Sequence, residues 1–220
     1  MIELPDFDKA FEYENYFYLS CNNTRIEKLV AQYELFKLSL KAEGDIVECG
    51  VFKGASLIRF AHFREIFNLT DKKRIFGFDT FGYFPEPEFE RDNELYKIFV
   101  ASAGAESISK EQLNEVLKRK GIDKQVYLIE GDIRVTVPEF LRKNPDLKIS
   151  LLNLDVDLYE PSVIILEYLY PRLSMGGILL LDDYGKFPGE SKAVDEYFSD
   201  KEVQIRKMPF SQRPYYIVKE

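Results

Sequence analysis

The sequence predicts an α/β fold, a three-layer α/β/α sandwich built around a largely parallel sheet. From Asp45 onward, short β-rich runs alternate with helical patterns, which is the signature of βαβ units. The last two β-rich runs, 202–210 and 213–220, are joined by a turn at Ser211 and Gln212, so they must pair antiparallel. The parallel strands end in acids or glycines, and sheets of this kind bind ligands at the carboxyl ends of their strands.

An amphipathic helix is predicted ahead of the sheet, over residues 22–44. Its apolar face follows helical spacing and runs through Ile26, Leu29, Val30, Tyr33, Phe36, Lys37 and Leu40. This face either packs on the core of the same chain or forms a dimer interface. We therefore expect residues 1–44 to be a helical flank to a main domain at 45–220, and a homodimer is one possible assembly.

The parallel sheet is expected to contain five strands, at 45–50, 73–79, 125–132, 148–155 and 176–183. Among the connecting helices, the clearest covers 109–121, where Ser109 and Gln112 form a capping box. Pro161 suits the first turn of a later helix, because proline is tolerated there. A further helix is expected near 190–199.

One long segment, 80–107, shows no clean periodicity, contains many aromatic residues and carries a local acidic excess. Loops of this length are usually functional or mobile. The segment is interpreted as a lid over a binding site, with a disordered surface loop as the alternative.

Composition excludes several classes of protein. A chain of 220 residues with 45% apolar and 31% charged side chains suits one globular domain. A net charge of −8 leaves no basic face for nucleic acid. Cys21 and Cys49 suit reduced thiols. The first residues do not resemble a signal peptide, and no run approaches the roughly 18 apolar residues that span a bilayer, so a cytoplasmic protein without membrane contact is expected.

The turn after the first strand, VECGVFKGAS, is glycine-rich. Gly50 and Gly54 precede a helix, where glycine lets the backbone approach a ligand and lets the helix pack on the strand. Because their spacing is G-x-x-x-G, the dinucleotide pattern G-x-G-x-x-G is absent. A tight turn without a ligand is therefore an equally good interpretation of this motif alone.

Acids also close the second and third strands. Asp79, in FGFDTF, is placed to accept hydrogen bonds from both hydroxyls of a ribose. Asp132, in IEGD, is placed to read an exocyclic amine such as that of adenine. An N-cap for the following helix is the more frequent role of such a residue.

The fourth and fifth strands each end in two acids. Asp155 and Asp157 follow LLNL, and Asp182 and Asp183 follow ILLL. Carboxylates are well tolerated at strand ends because the loops there are solvated. Helix capping would account for the second pair, and a hydrogen bond to the next turn would account for Asp157.

Taken in order, the motifs DIVECGVFKGAS, FGFDTF, KGIDKQVYLIEGDIRVTVPEFL, LNLDVDLYEPSVIILEYLYPRLSMGGILLLDDY and PGESKAVDEYF resemble those of the macrocin O-methyltransferase (TylF-like) family. The most specific part is D-x-D-L-Y-E-P-[ST] followed by G-G-x-x-x-x-D-D-Y. The resemblance implies a Rossmann-like class I methyltransferase fold with sheet order 3-2-1-4-5-7-6 and strand 7 antiparallel. It also implies methylation of a sugar hydroxyl, on a natural product, polysaccharide or nucleotide-linked sugar, by S-adenosylmethionine.

The family resemblance further implies a divalent cation, usually Mg²⁺, held by Asp155, Asp182 and Asp183. Hard oxygen ligands suit Mg²⁺, which keeps positions that two adjacent acceptor hydroxyls can fill. Such an ion lowers the pKa of a hydroxyl and orients it toward the methyl group. The candidate base is Asp155 or Asp157, whereas His62 is expected to be a packing or surface residue.

The donor site is expected to draw on the glycine-rich turn and the ends of the second and third strands. Its candidate residues are Glu48, Gly50, Val51, Phe52, Gly54, Ser56, Asp79, Thr80, Gly131, Asp132 and Ile133.

Other functions compete with a sugar methyltransferase. A metal-dependent methyltransferase of a catechol-like phenol would use aromatic residues around the acceptor, for which Tyr83, Phe84 and Phe89 are candidates. A nicotinamide oxidoreductase is disfavoured by the glycine pattern. A non-catalytic binding module is disfavoured by the intact set of acids. The N-terminus is shorter than in antibiotic-pathway members of the family, so the acceptor stays open.

Overall fold

The computed structural model describes residues 2–220 and contains one seven-stranded sheet in the order β3-β2-β1-β4-β5-β7-β6. Strand β7 is antiparallel to β5 and β6, and the other pairings are parallel. The predicted sheet order and the antiparallel strand 7 are thereby confirmed. The strands are β1 Asp45–Cys49, β2 Ile75–Asp79, β3 Val126–Glu130, β4 Ile149–Leu154, β5 Leu173–Leu181, β6 Arg206–Lys207 and β7 Tyr215–Val218.

Helices surround the sheet. They are α1 Ala10–Ser20, α2 Asn23–Ser39, α3 Ala55–Ile66, α4 Asn93–Ala103, α5 Lys110–Arg119, α6 Ile133–Lys143, α7 Tyr159–Tyr168 and α8 Pro188–Phe198. The capping box of Ser109 and Gln112 is present at the start of α5, and Pro161 lies in the first turn of α7, as the sequence predicted. The expected amphipathic helix is α2, which packs across β4 and β5 but ends at Ser39 and leaves Lys37, expected on its apolar face, exposed.

Alternation along the strands builds two cores, one on each face of the sheet. Ile46 of β1 packs in the core beneath α2, α3 and α5, whereas Val47 packs in the core beneath α6, α7 and α8. Because Glu48 is in register with Asn153 of β4, both polar side chains belong to the α2 face, near the carboxyl edge of the sheet. The alternation along the strands therefore determines which helices pack on each face of the sheet.

Four local features differ from what the sequence predicted. The run 202–210 contains only the two-residue strand β6, and β5 begins at Leu173, earlier than expected. Helix α1 was not predicted, and 80–107 contains α4 where a loop was expected. Neither of these helices has a buried residue, so neither needs the strict apolar stripe by which a helix is recognised in sequence.

Segment 80–107 is anchored to the body of the protein by a buried acid. Asp92 is fully buried, and its carboxylate accepts hydrogen bonds from the amides of Gly189, at 2.7 Å, and Tyr159, at 3.3 Å. These amides lie at the N-termini of α8 and α7, which favour a negative charge. One carboxylate thus fixes the base of the expected lid to two helices; whether the segment acts as a lid stays a prediction.

Replacing Asp92 by alanine is expected to lower the free energy of unfolding by about 1–3 kcal/mol, because two buried amides lose a charged acceptor. Hydrogen exchange should quicken at the first turns of α7 and α8. Asp92→Asn keeps an acceptor oxygen and should have a smaller effect, and the exposed Glu94→Ala serves as the control. Unchanged stability and exchange in Asp92→Ala would contradict the anchoring role.

Helix α1 exposes large apolar side chains, including Phe11 at 79% and Leu19 at 84%. These residues are consistent with the predicted homodimer, which stays a prediction. Across residues 2–220, the helices are too short or too polar to cross a bilayer.

Candidate active site

A cavity of about 720 Å³ opens at the carboxyl ends of the parallel strands. Most of the predicted site residues line it: Gly50, Val51, Phe52, Ser56, Asp79, Thr80, Asp132, Ile133, Asp155, Asp157, Asp182 and Asp183. Glu48, Gly54 and Gly131 lie outside the lining. Of the three aromatic residues proposed for a phenol, only Phe84 lines the cavity. His62 lies on α3, away from this lining, as expected.

The glycine-rich turn brings β1 close to the end of β4. Gly50 has φ of +91°, and a Cβ there would lie 1.7 Å from the carbonyl oxygen of Asp155. Any side chain at this position would therefore push the two strand ends apart. In the structure the close approach is to the backbone of Asp155, and the expected approach of this glycine to a ligand stays a prediction.

Asp79 is fully engaged by the protein. One carboxylate oxygen accepts the amides of Val51, at 2.8 Å, and Phe52, at 2.9 Å. The other accepts the amide of Phe81, at 2.8 Å, and the hydroxyl of Ser107, at 3.2 Å. Four donors fill the lone-pair sites of a carboxylate. Asp79 therefore holds the glycine-rich turn together here, and its contact with a ribose stays a prediction.

Asp132 caps helix α6. Its carboxylate accepts the amide of Arg134 at 2.8 Å and pairs with the guanidinium of the same residue at 2.7 Å. That guanidinium also pairs with Glu88, at 2.6 Å, and so connects the helix to segment 80–107. The structure thus realises the N-cap alternative for Asp132; an adenine contact stays a prediction.

Three carboxylates come together at the ends of β4 and β5. Asp155, Asp182 and Asp183 each offer an oxygen within 4.8 Å of the other two. The backbone fixes them, since the amide of Asp155 donates to Cys49 and that of Asp182 donates to Leu154. Oδ1 of Asp182 is buried and has no hydrogen-bond partner among residues 2–220. An all-oxygen donor set with an unused buried oxygen fits a hard divalent cation.

Basic side chains that the sequence analysis did not single out surround these acids. Nζ of Lys28, on α2, lies 2.5 Å from Oδ2 of Asp182. Arg213 lies 2.5 Å from Oδ1 of Asp183, and Lys186 lies 3.4 Å from the same oxygen. Of these basic residues, Lys28 could have been noticed in the sequence, because it falls beside the apolar face of the predicted helix.

Burial and the neighbouring carboxylates shift the pKa values of the acids. Burial and the neighbouring Asp182 raise the pKa of Asp155 well above its usual range. Burial and the adjacent Asp183 do the same to Asp157, which is hydrogen-bonded to Asp183. The pKa of Asp183 is lowered despite burial, chiefly by that hydrogen bond. The backbone of Asp157 has φ of +62°, in the left-handed region that a non-glycine residue seldom adopts.

A buried polar layer lies behind the carboxylates. Burial raises the pKa of Glu48 to about 8, against a hydrogen bond from Ser56 that lowers it. Oε2 of Glu48 and both polar atoms of Asn153 lack hydrogen-bond partners in the described chain. The layer is more polar than a sheet core requires, which is typical of the wall of a binding site.

Glu48→Gln is expected to flatten the pH dependence of stability. Folding raises the pKa of Glu48 from 4.5 to about 8, so its contribution to the free energy of unfolding is complete below pH 4.5 and is lost as the pH rises toward 8. With chelator present, glutamine should make the protein more stable above pH 8 by an amount on the order of a few kcal/mol. Urea titrations over this pH range measure the difference, with the exposed Glu111→Gln as control. Equal slopes for wild type and Glu48→Gln would contradict a protonated Glu48.

Comparison with known proteins gives consistent results. A family model described as Macrocin-O-methyltransferase (TylF) matches residues 21–209. A tetracenomycin rhamnosyl 4'-O-methyltransferase of Streptomyces olivaceus is 32% identical over 147 residues, 64% of this chain and 53% of that protein. Mycinamicin III 3''-O-methyltransferase of Micromonospora griseorubida is 29% identical over 74% of this chain and 65% of its own. The chain thus spans about half to two thirds of the length of the curated relatives it matches.

Among solved structures, the calicheamicin methyltransferase CalS11 superposes with a TM-score of 0.78 at 30% identity, over 95% of this chain and 85% of its own. The O-methyltransferase NovP, at 24% identity, has a TM-score of 0.74 over 87% of this chain and 78% of its own, which supports the fold. A family match that runs from α2 to β6 includes both the glycine-rich turn and the carboxylate cluster. The chain therefore belongs to the macrocin-O-methyltransferase (TylF) family.

Proposed function

We propose that this chain is an S-adenosylmethionine-dependent and divalent-metal-dependent O-methyltransferase that acts on a sugar hydroxyl. The observation that carries the proposal is the cluster of Asp155, Asp182 and Asp183 inside the cavity at the carboxyl edge of the sheet. Relatives named for methylation of a rhamnosyl group and of mycinamicin III support a sugar acceptor on a natural product.

The donor is proposed to lie over the glycine-rich turn. The amides of Val51 and Phe52 already face the Asp79 carboxylate, so the turn is fixed before a ligand arrives. Phe52 and Phe99, whose ring centroids are 5.2 Å apart, provide an apolar wall to the cavity. A rigid turn beside an apolar wall is suited to a nucleoside. Asp132 and Ile133 line the same cavity and are proposed to contact the base of that nucleoside.

The acceptor is proposed to enter between the carboxylates and the N-terminal flank. Asn22, Thr24 and Arg25, at the start of α2, line the same cavity. Their hydrogen-bonding groups suit a polyhydroxyl ligand better than a planar phenol, and Phe84 is the one aromatic candidate left for a catechol. We therefore favour a sugar over a phenol, and we assign acceptor recognition to residues 1–44 and to segment 80–107.

Asp155, Asp182 and Asp183 would hold the divalent cation. When bound, such an ion lowers the pKa of an acceptor hydroxyl and neutralises charge on the oxygen. The hydroxyl oxygen attacks the methyl carbon in line with the carbon–sulfur bond, and the sulfur keeps the bonding electrons. Asp155 is the preferred proton acceptor, because it belongs to the cluster that would hold the ion, whereas Asp157 is hydrogen-bonded to Asp183.

The proposed activity is tested by incubating the protein with S-adenosylmethionine, Mg²⁺ and a panel of acceptors, followed by mass spectrometry. The panel should contain free deoxysugars, nucleotide-linked deoxysugars, glycosylated natural products and catechol. Methylation of a sugar-containing acceptor alone supports the proposal. Methylation of catechol alone would replace sugar by phenol, and no product with any acceptor would leave the binding module as the better interpretation.

A further inference from the structure

A lysine ammonium already occupies the carboxylate cluster. Nζ of Lys28 contacts Oδ2 of Asp182 at 2.5 Å, and the side chains are 29% and 4% exposed. Burial lowers the pKa of Lys28, but the negative charges of Asp182, Asp155 and Asp183 together raise it above its usual value. The contact joins α2 to the end of β5 across 154 positions of sequence. Lys28 therefore supplies a positive charge from the N-terminal flank directly to the centre of the site.

The cations that pair with Asp183 are placed differently. Arg213 and Lys186 both approach Asp183, and their side chains are 39% and 44% exposed. Lys28 approaches Asp182, whose second oxygen is the buried atom without a partner in residues 2–220. Of these three side chains, Lys28 is the least exposed.

A divalent cation and the Lys28 ammonium would repel each other strongly if both contacted Asp182. Two positive groups on one carboxylate lie roughly 4 Å apart, where burial leaves little water to screen them. We propose that Lys28 is an internal counter-cation that occupies the divalent-cation site of the resting protein, and that the ion binds in exchange for the Nζ contact with Asp182. This inference rests on the metal role given under Proposed function.

The exchange requires a change in one side chain only. Lysine has four rotatable bonds, and Lys28 lines the cavity together with Thr24 and Arg25 of the same helix. Its ammonium can therefore turn from Asp182 into the cavity while α2 stays packed on β4 and β5. The released charge would then lie where a negatively charged part of an acceptor could approach.

Mn²⁺ titration followed by electron paramagnetic resonance tests the exchange without relying on turnover. Lys28→Met removes the competing charge and should tighten Mn²⁺ binding by about tenfold or more. Lys28→Arg keeps a positive charge and should bind Mn²⁺ no more tightly than wild type. Lys37→Met is the matched control, because Lys37 lies on the same helix and pairs with Glu34 at 3.1 Å on the surface. Its affinity should equal that of wild type.

The outcomes separate this inference from the proposed function. Tighter binding in Lys28→Met, or binding in that variant alone, supports the exchange. Equal or weaker binding in Lys28→Met overturns it, and weaker binding would make Lys28 a residue that positions the acids. Absence of Mn²⁺ binding to wild type and all variants would overturn the metal role itself. Circular dichroism verifies folding, and Lys28→Gln replaces Lys28→Met if the methionine variant does not fold.

Discussion

Asp155→Asn is expected to reduce methyl transfer by about 10³-fold or more, because it removes both a ligand of the proposed cation and the preferred proton acceptor. Affinity for S-adenosylmethionine should change little, since the proposed ion would contact the acceptor hydroxyl more than the donor. Chelator should reduce the wild-type rate by a similar factor. Single-turnover mass spectrometry measures the rate, and calorimetry measures donor binding.

Asp146→Asn is the matched control for this experiment, because Asp146 is exposed just before β4, at the opposite end of that strand from Asp155. It should retain the wild-type rate. In thermal melts, Mg²⁺ should stabilise wild type more than Asp182→Asn, since the acids repel one another without a cation. If neither the rate nor the melting temperature changes with Mg²⁺ or chelator, the metal role is wrong, and Asp155 or Asp157 would have to act as an unassisted base.

Arg64→Met is expected to lower the free energy of unfolding by about 3 kcal/mol or more. Arg64 is fully buried on α3, and its guanidinium donates to backbone carbonyls of Lys73, Ile122, Lys124 and Gln125 at 2.6 to 3.4 Å. Methionine fills much of the same volume but removes these donors, and within residues 2–220 only the carbonyl of Gln125 keeps another, the amide of Ile75. The guanidinium therefore joins the segments that precede β2 and β3, at the opposite ends of these strands from the site.

Urea denaturation followed by circular dichroism measures the effect. The control is Arg119→Met, because Arg119 is exposed and pairs with Glu115 one helical turn away, at 2.8 Å. Surface pairs of this kind contribute up to about 1 kcal/mol. A loss in Arg64→Met no larger than that of the control would show that water replaces the missing donor at these carbonyls.

Much of this architecture follows from short-range patterns in the chain. The five parallel strands and the capping box at Ser109 were recognisable because alternation and capping act over a few neighbouring residues. Helix α4 and the short strand β6 were not, because α4 has no buried residue and β6 has only two residues. Their structure depends on contacts with residues that are distant in sequence, which a local pattern does not reveal.

The sequence by itself determined that acids collect at the carboxyl edge of the sheet, because parallel strands carry their ends to a common edge. Tertiary structure alone decided how those acids are used. It filled the hydrogen-bonding capacity of Asp79 and brought Asp157 into a hydrogen bond with Asp183. It also brought Lys28 to Asp182 from 154 positions away. Spacing along a strand repeats every two residues and is readable locally, whereas these pairings depend on how distant elements pack.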